Sequence, residues 1–323
     1  MAAIPTASGL LGGFVIEACL ALLLYGIATA QAYVYMLNSR DDPRLLRWVV
    51  AAVWLLETLH SALIMHMVYE YTITDFGKLA LVGEIVWSVG LTVLVGMMIV
   101  GLSQGFYVRR IWILSSHNIA LTAFTALLLI ARICFGVATA ALTYSLGAWA
   151  VFREKKGPLF TLSCGLGLSA AVDALIAGII IFYLQKGQTG FKSTDNIIRS
   201  LMAYAVNSGA ITMVVSIVIV LTFVFLKNSL VFAGFVTLAG KLYSNSFLGT
   251  LNARSYLRGK SQGSGYQSAE LSNMGPGRSK HPQVHVSRPN HIEIYKETTK
   301  VFDGSSFAPV DEESSSTKNL YPS

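Results

Sequence analysis

The sequence predicts an all-α membrane protein: a seven-transmembrane-helix bundle, N-terminus outside and C-terminus cytoplasmic, with a disordered tail. Three observations carry this reading. Of 323 residues, 54% are hydrophobic and only 13% charged, against about a quarter charged in an average soluble domain. Apolar runs near the length of about 20 residues that crosses a hydrocarbon core of about 30 Å recur seven times. Charge is also unevenly spread: residues 1–253 hold 15 Lys/Arg and 10 Asp/Glu, whereas the 70 residues of 254–323 hold 9 and 7. The net charge of +7 then reports loop cations, and no nucleic-acid partner is expected.

In chain order the spans are Phe14–Leu37, Trp48–Glu70, Glu84–Gln104, Asn118–Leu142, Leu159–Leu184, Leu201–Leu226 and Val231–Thr250. The first is expected to stay in the mature protein, because no Lys or Arg precedes Arg40 and the run exceeds a signal-peptide core. The third ends in Gly101-Leu-Ser-Gln-Gly105, a small-residue spacing that permits close helix approach. Between the fourth and fifth only Arg153-Glu154-Lys155-Lys156-Gly157-Pro158 is a decisive break, and an interfacial segment near Tyr144–Trp149 fits there. Pro5, Pro43 and Pro158 lie outside the spans, so no helix carries a proline kink of the kind broken-helix transporters use. Cys19, Cys134 and Cys164 fall inside apolar runs without metal-binding spacing.

Lys and Arg are held on the cytoplasmic side of short loops. One side carries 5 basic residues (Lys78, Arg153, Lys155, Lys156, Lys227); the other carries 11, from Arg40, Arg44 and Arg47 through Arg109, Arg110, Lys186, Lys192 and Arg199 to Arg254, Arg258 and Lys260. The N-terminus is therefore expected outside. Arg254, Arg258 and Lys260, just after the last span, are expected to contact anionic inner-leaflet lipid. Residues 254–323 contain 13 Ser, 6 Gly and 5 Pro and no sustained apolar period. Such a segment buries too little surface to offset the entropy of ordering, so the membrane domain is read as 1–253 and the rest as a disordered cytoplasmic tail.

Asp173-Ala-Leu-Ile-Ala-Gly178, Thr189-Gly-Phe-Lys-Ser-Thr-Asp195, Thr212 and Lys241-Leu-Tyr-Ser-Asn-Ser-Phe-Leu-Gly-Thr-Leu-Asn-Ala-Arg254 form a recognisable set. With these residues the chain resembles the fungal, mainly basidiomycete, seven-span family whose shared domain has no known function. The correspondence is closest over about residues 165–254. The resemblance implies an integral membrane protein of seven helices with a variable cytoplasmic tail, and no particular activity.

Ionisable groups at membrane depth cost a few kcal/mol and usually face the bundle interior with a partner, so they lead the search for a site. Glu57 lies nine residues, about 14 Å, into the second span, and Lys241 ten residues, about 15 Å, into the seventh from the opposite side. At equal depth they are expected to pair if those spans are neighbours. Thr237, Lys241, Ser244, Asn245 and Asn252 share one helical face, which reads either as glue between helices or as the wall of a pocket. A retinal Schiff base on Lys241 is not expected, because Thr237 stands one turn before it and Val86–Gln104 lacks a carboxylate; no cofactor is assigned. Asp173 reads as the inner third of its span and Arg132 as the outer third of its own, about 12 Å apart in depth. Arg132 is therefore expected to snorkel outward to Glu17 or Glu84, leaving Asp173 hydrogen-bonded or protonated. His60 and His66, six apart, do not share a face, so no metal site is assigned to them.

No nucleophile–base pair, metal set or phosphate loop marks an enzyme. A receptor-like sensing protein of the plasma membrane, signalling through its loops and tail to a cytoplasmic partner, uses all the features above; its small-molecule ligand is unknown. The alternatives are a transporter or channel with a polar path near Glu57, Asp173 and Lys241, and a membrane organiser without signalling.

Overall fold

In the computed structural model the described residues are 7–39, 42–187, 192–227 and 229–272, apart from the side chains of 7, 8, 79, 80, 192–198, 200–202, 204–206, 208 and 255–272. They form α1 (Ala7–Asn38), α2 (Arg44–Tyr69), a π-helical turn (Glu70–Thr74), α3 (Leu79–Val82), α4 (Trp87–Leu114), α5 (Ile119–Leu146), α6 (Trp149–Glu154), α7 (Lys156–Lys186), α8 (Lys192–Phe225) and α9 (Val231–Ser272). Helix ends follow local chemistry. Pro43 precedes α2, the Asn118 side chain caps α5 by accepting from Leu121 N at 3.1 Å, and α5 stops at Gly147 with φ of 65°, a left-handed conformation that suits glycine. Pro158 sits in the first turn of α7, where its missing N–H costs nothing.

Five segments are long and apolar enough to cross a membrane: Gly9–Asn38, Arg44–Thr74, Trp87–Leu114, Ile119–Leu146 and Lys156–Lys186. α8 contributes a shorter apolar stretch, Gly209–Phe225, and α9 interrupts its apolar face with Lys241, Asn245 and Asn252. The sixth and seventh expected spans therefore correspond to helices outside this set of five. The burial pattern reverses that of a soluble protein. On α5, Arg132, Thr125, Thr139 and Thr143 are buried while Phe124, Leu127 and Ile130 are exposed. Exposed apolar stripes of this kind need a solvent as apolar as they are.

The long helices close a ring in which α1 packs on α2, α2 on α4, α4 on α5, α5 on α7, α7 on α8, α8 on α9 and α9 on α1. α9 also reaches across the ring to α4. This places α9 between α1 and α8, while it also meets α2 directly, where His60 lies against Gly240.

Three boundaries depart from the sequence reading. α4 starts at Trp87, not Glu84, and runs on to Leu114, so Arg109 and Arg110 lie on the helix and not in a loop. α9 continues as helix to Ser272, past Arg254 where the tail was expected to begin, and 273–323 lies outside the described residues. Arg132 is thirteen residues after Ile119 and fourteen before Leu146, hence at mid-helix and not in the outer third.

Candidate functional site

Lys241 and Glu57 are both fully buried, and the Lys241 ammonium donates to Glu57 Oε2 at 2.5 Å. It also donates to Ser61 Oγ at 2.7 Å and to the Glu57 carbonyl oxygen at 3.2 Å. Ser61 follows Glu57 by one turn, so one face of α2 supplies all three acceptors, one for each ammonium N–H. A cation saturated in this way has no donor left for a ligand. The neighbouring polar residues of α9 fasten helices: Asn245 Nδ2 donates to the Leu24 carbonyl of α1 at 3.0 Å, and Asn252 Nδ2 to that of Gln31 at 2.8 Å. Thr237 bonds back to the Gly234 carbonyl at 2.7 Å.

Two residues beyond Lys241, on nearly the opposite side of α9, stands Tyr243. Its hydroxyl donates to Asp173 Oδ2 at 2.5 Å and lies 2.8 Å from Ser169 Oγ, one turn before Asp173 on α7. Asp173 also accepts from Gln104 Nε2 of α4 at 2.5 Å and from Thr212 Oγ1 of α8 at 2.6 Å. One carboxyl thus ties four helices together. Each of its three hydrogen-bond partners acts as a donor to it.

Arg132 completes this cluster without touching the carboxyl. Its guanidinium carbon sits 4.5 Å from the centroid of the Tyr243 ring, whose hydroxyl binds Asp173, so the Arg132 charge also acts on that carboxyl through space. The expected outward snorkel is corrected here: Arg132 is buried and points into the bundle, because its helix extends further than supposed and sets it at mid-depth. The candidate partners Glu17 and Glu84 do not meet it. Glu17 packs against Gly234 of α9, and the Glu84 carbonyl accepts from Tyr71 OH at 3.0 Å. Among the described residues no acceptor hydrogen-bonds the Arg132 guanidinium, and its Nη1 is buried without a partner.

Arg132 lines a cavity of about 110 Å³ with Thr92 and Val93 of α4, Ser169 of α7 and Val236 of α9. A second cavity of about 70 Å³ shares Arg132, Ser169 and Val93 in its walls and is bounded by His60 and Gly240. The larger one ends against α6, whose Trp149 and Phe152 are buried. α6 is held down like a cap: Trp149 Nε1 donates to Tyr71 OH at 3.1 Å, Trp149 N to the Gly83 carbonyl at 2.9 Å, and Ile85 N to the Gly147 carbonyl at 2.7 Å. Arg153 of α6 lies 4.6 Å over the Phe232 ring and donates to the Leu226 carbonyl at 2.6 Å and to the Ser229 carbonyl. Burial pushes its pKa down to about 10, which leaves it charged at neutral pH.

The structure thus brings Glu57 and Lys241 together, groups Arg132 with Asp173 through Tyr243, and turns Asn245 away to α1. Thr237 joins the cavity wall. His60 and His66 diverge, the latter meeting Ser88 Oγ at 3.1 Å. Arg254 forms an ion pair with Asp42, and the side chains of Arg258 and Lys260 lie outside the described residues. Sequence reasoning missed Ser61, Gln104 and Tyr243 as members of these clusters. Ser61 was legible as the residue one turn beyond Glu57; Tyr243 and Gln104 carried no signal before the helices were placed.

A helical bundle with five segments suited to crossing a membrane, charged groups sequestered at its centre and apolar side chains outside defines a membrane-embedded helical protein. Within it, residues 169–256 match a family of unknown function (DUF6534), so the C-terminal half carries that domain. The match spans Ser169, Asp173, Thr212, Lys241 and Tyr243, whereas Glu57, Gln104 and Arg132 come from the chain before it. No curated protein and no solved structure matches the chain.

Proposed function

We propose that this protein is a receptor-like sensor rather than an enzyme: a seven-span protein of the plasma membrane, N-terminus outside, whose cavity between α4, α5, α7 and α9 receives a small molecule. The observation that carries this reading is the cavity of about 110 Å³ closed on one side by α6 and bordered by a buried guanidinium without a hydrogen-bond acceptor. Apolar walls with a few convergent polar groups are what small-molecule sites are made of. The cavity also adjoins a network able to report its state. Ser169 and Arg132 border it, Tyr243 contacts both, and Asp173 links Tyr243 to Gln104 on α4 and Thr212 on α8. A ligand that moves Arg132 would shift four helices whose far ends face the expected cytoplasmic partner. At that end Arg254, Arg258 and Lys260 are proposed to contact anionic lipid, with Asp42 sharing Arg254.

The transport reading draws less support, because Glu57, Asp173 and Lys241 each engage hydrogen-bond partners from neighbouring helices and so brace the bundle. The two readings separate in reconstituted full-length protein. A sensor gives ligand-dependent thermal stabilisation and a change in distance between spin labels on the inner ends of α4 and α8, without solute flux. Ion or solute flux into proteoliposomes that Asp173→Asn abolishes would replace sensing with transport.

A further inference from the structure

We infer that the cavity takes a small anionic ligand: a carboxylate on a compact apolar body no larger than about one aromatic ring, with Arg132 as the anion receptor. This rests on the sensor reading and adds the chemical class of its ligand. Two independent features point there. The first is the unspent hydrogen-bonding capacity of Arg132. A guanidinium presents five N–H donors in a planar fork that matches a carboxylate. Here it is buried to 6% exposure and receives a ring face, but no acceptor among the described residues. Asp173 interacts with this charge through space but makes no hydrogen bond to it; its donors are Gln104, Thr212 and Tyr243. The other buried cation, Lys241, shows what a structural charge looks like in this same bundle: three donors, three acceptors.

The second feature is the size and lining of the space beside Arg132. A cavity of about 150 Å³ lined by apolar side chains accommodates benzene. The 110 Å³ here is of that order, with Val93, Leu166, Val236 and Phe232 for the apolar body and Arg132 and Ser169, which both contact Tyr243, for the head. A carboxylate there would meet the guanidinium in a low-dielectric setting, where a charge-assisted hydrogen bond gains most. Ser169 is placed to donate to the same head group only by giving up Tyr243. Binding would therefore loosen the Ser169–Tyr243–Asp173 chain.

The test uses full-length protein in nanodiscs, with benzoate, its neutral isostere benzamide and the long-chain carboxylate palmitate as probes, read by thermal shift and by ligand-observed NMR against empty nanodiscs. Benzoate is expected to bind roughly tenfold to a hundredfold tighter than benzamide, the range of one charge-assisted contact. Arg132→Gln should erase that preference, and Val93→Phe, which fills the space, should block both small probes. Equal binding of benzoate and benzamide to the wild-type protein overturns the anionic class while leaving the cavity as a ligand site. Palmitate binding tighter than benzoate overturns the compact body and makes the ligand lipid-borne. If neither small probe binds, or if Val93→Phe changes nothing, the cavity is no ligand site, and the sensor reading falls with the inference. Should Arg132→Gln fail to fold, the wild-type preference and Val93→Phe still decide.

Discussion

Two buried cations sit at the centre of this bundle and are treated in opposite ways. Lys241 is surrounded by Glu57 Oε2, the Glu57 carbonyl and Ser61 Oγ, and its charge is neutralised in place. Arg132 has the face of Tyr243, a cavity at its side and no hydrogen-bond acceptor among the described residues. A charge in a low-dielectric interior is tolerated when paired and costly when not. Lys241 and Glu57 are thus spent on holding α9 to α2, whereas the donors of Arg132 are held in reserve. Burial and charge alone would have ranked the two alike.

The largest effect is expected at the Lys241–Glu57 pair. Lys241→Ala or Glu57→Ala should each destabilise the protein by about 3–5 kcal/mol, because each strands a buried charge, and the double replacement should cost less than the sum. Thermal unfolding of the four proteins of this cycle in nanodiscs measures the coupling; additive effects would mean that the contact contributes nothing. Asp173→Ala comes next, with an expected loss of about 2–3 kcal/mol as Tyr243, Gln104 and Thr212 lose a shared acceptor. Tyr243→Phe should cost less, since only one of the three donors disappears.

At Arg132 the expectation reverses. Arg132→Gln should stay within about 1 kcal/mol of wild type, as the lost stacking on Tyr243 and the lost through-space attraction to Asp173 are offset by removing buried donors that have no acceptor. A loss as large as that of Lys241→Ala would erase the distinction between the two cations. Asn245→Ala, which releases the Leu24 carbonyl, should cost about 0.6 kcal/mol, the average for interhelical hydrogen bonds in membranes. The smallest effect belongs to Arg254→Ala. Its ion pair with Asp42 is 40% exposed on the arginine side, and loss of a few tenths of a kcal/mol, vanishing at high salt, is expected from a screened pair.

The legible and illegible parts of the site divide along the same line. Glu57 and Lys241 were readable as partners because depth in a membrane is a one-dimensional quantity: residues counted from a span end convert to ångströms with little error. Their pairing follows because α2 and α9 meet directly at this depth, His60 lying against Gly240 beside Lys241. Arg132 and Asp173 defeated the same arithmetic. α5 extends beyond Leu142 to Leu146 and α7 begins at Lys156, so the depth gap between the two closes. Span ends set by hydropathy miss such extensions, because threonine, tyrosine and lysine at a helix end read as loop while still forming helix.

That the chain is helical and membrane-embedded, with a few ionisable groups held inside it, was already written in its order of residues. In lipid only a helix or a closed barrel satisfies the backbone's polar groups, and continuous apolar runs of about 20 residues suit the helix. Tertiary structure alone decided which polar residues saturate one another and which keep free donors. Tyr243 is one more aromatic in an apolar stretch until the helix ring turns it toward α7; only then does its hydroxyl reach Asp173 and its face cover Arg132. The cavity is equally invisible in one dimension, being what is left between Val93, Ser169 and Val236 on three helices. Periodicity assigns a face to each residue, but whether that face meets an acceptor, a ring or empty space depends on the rotation and separation of neighbouring helices, which no local pattern encodes.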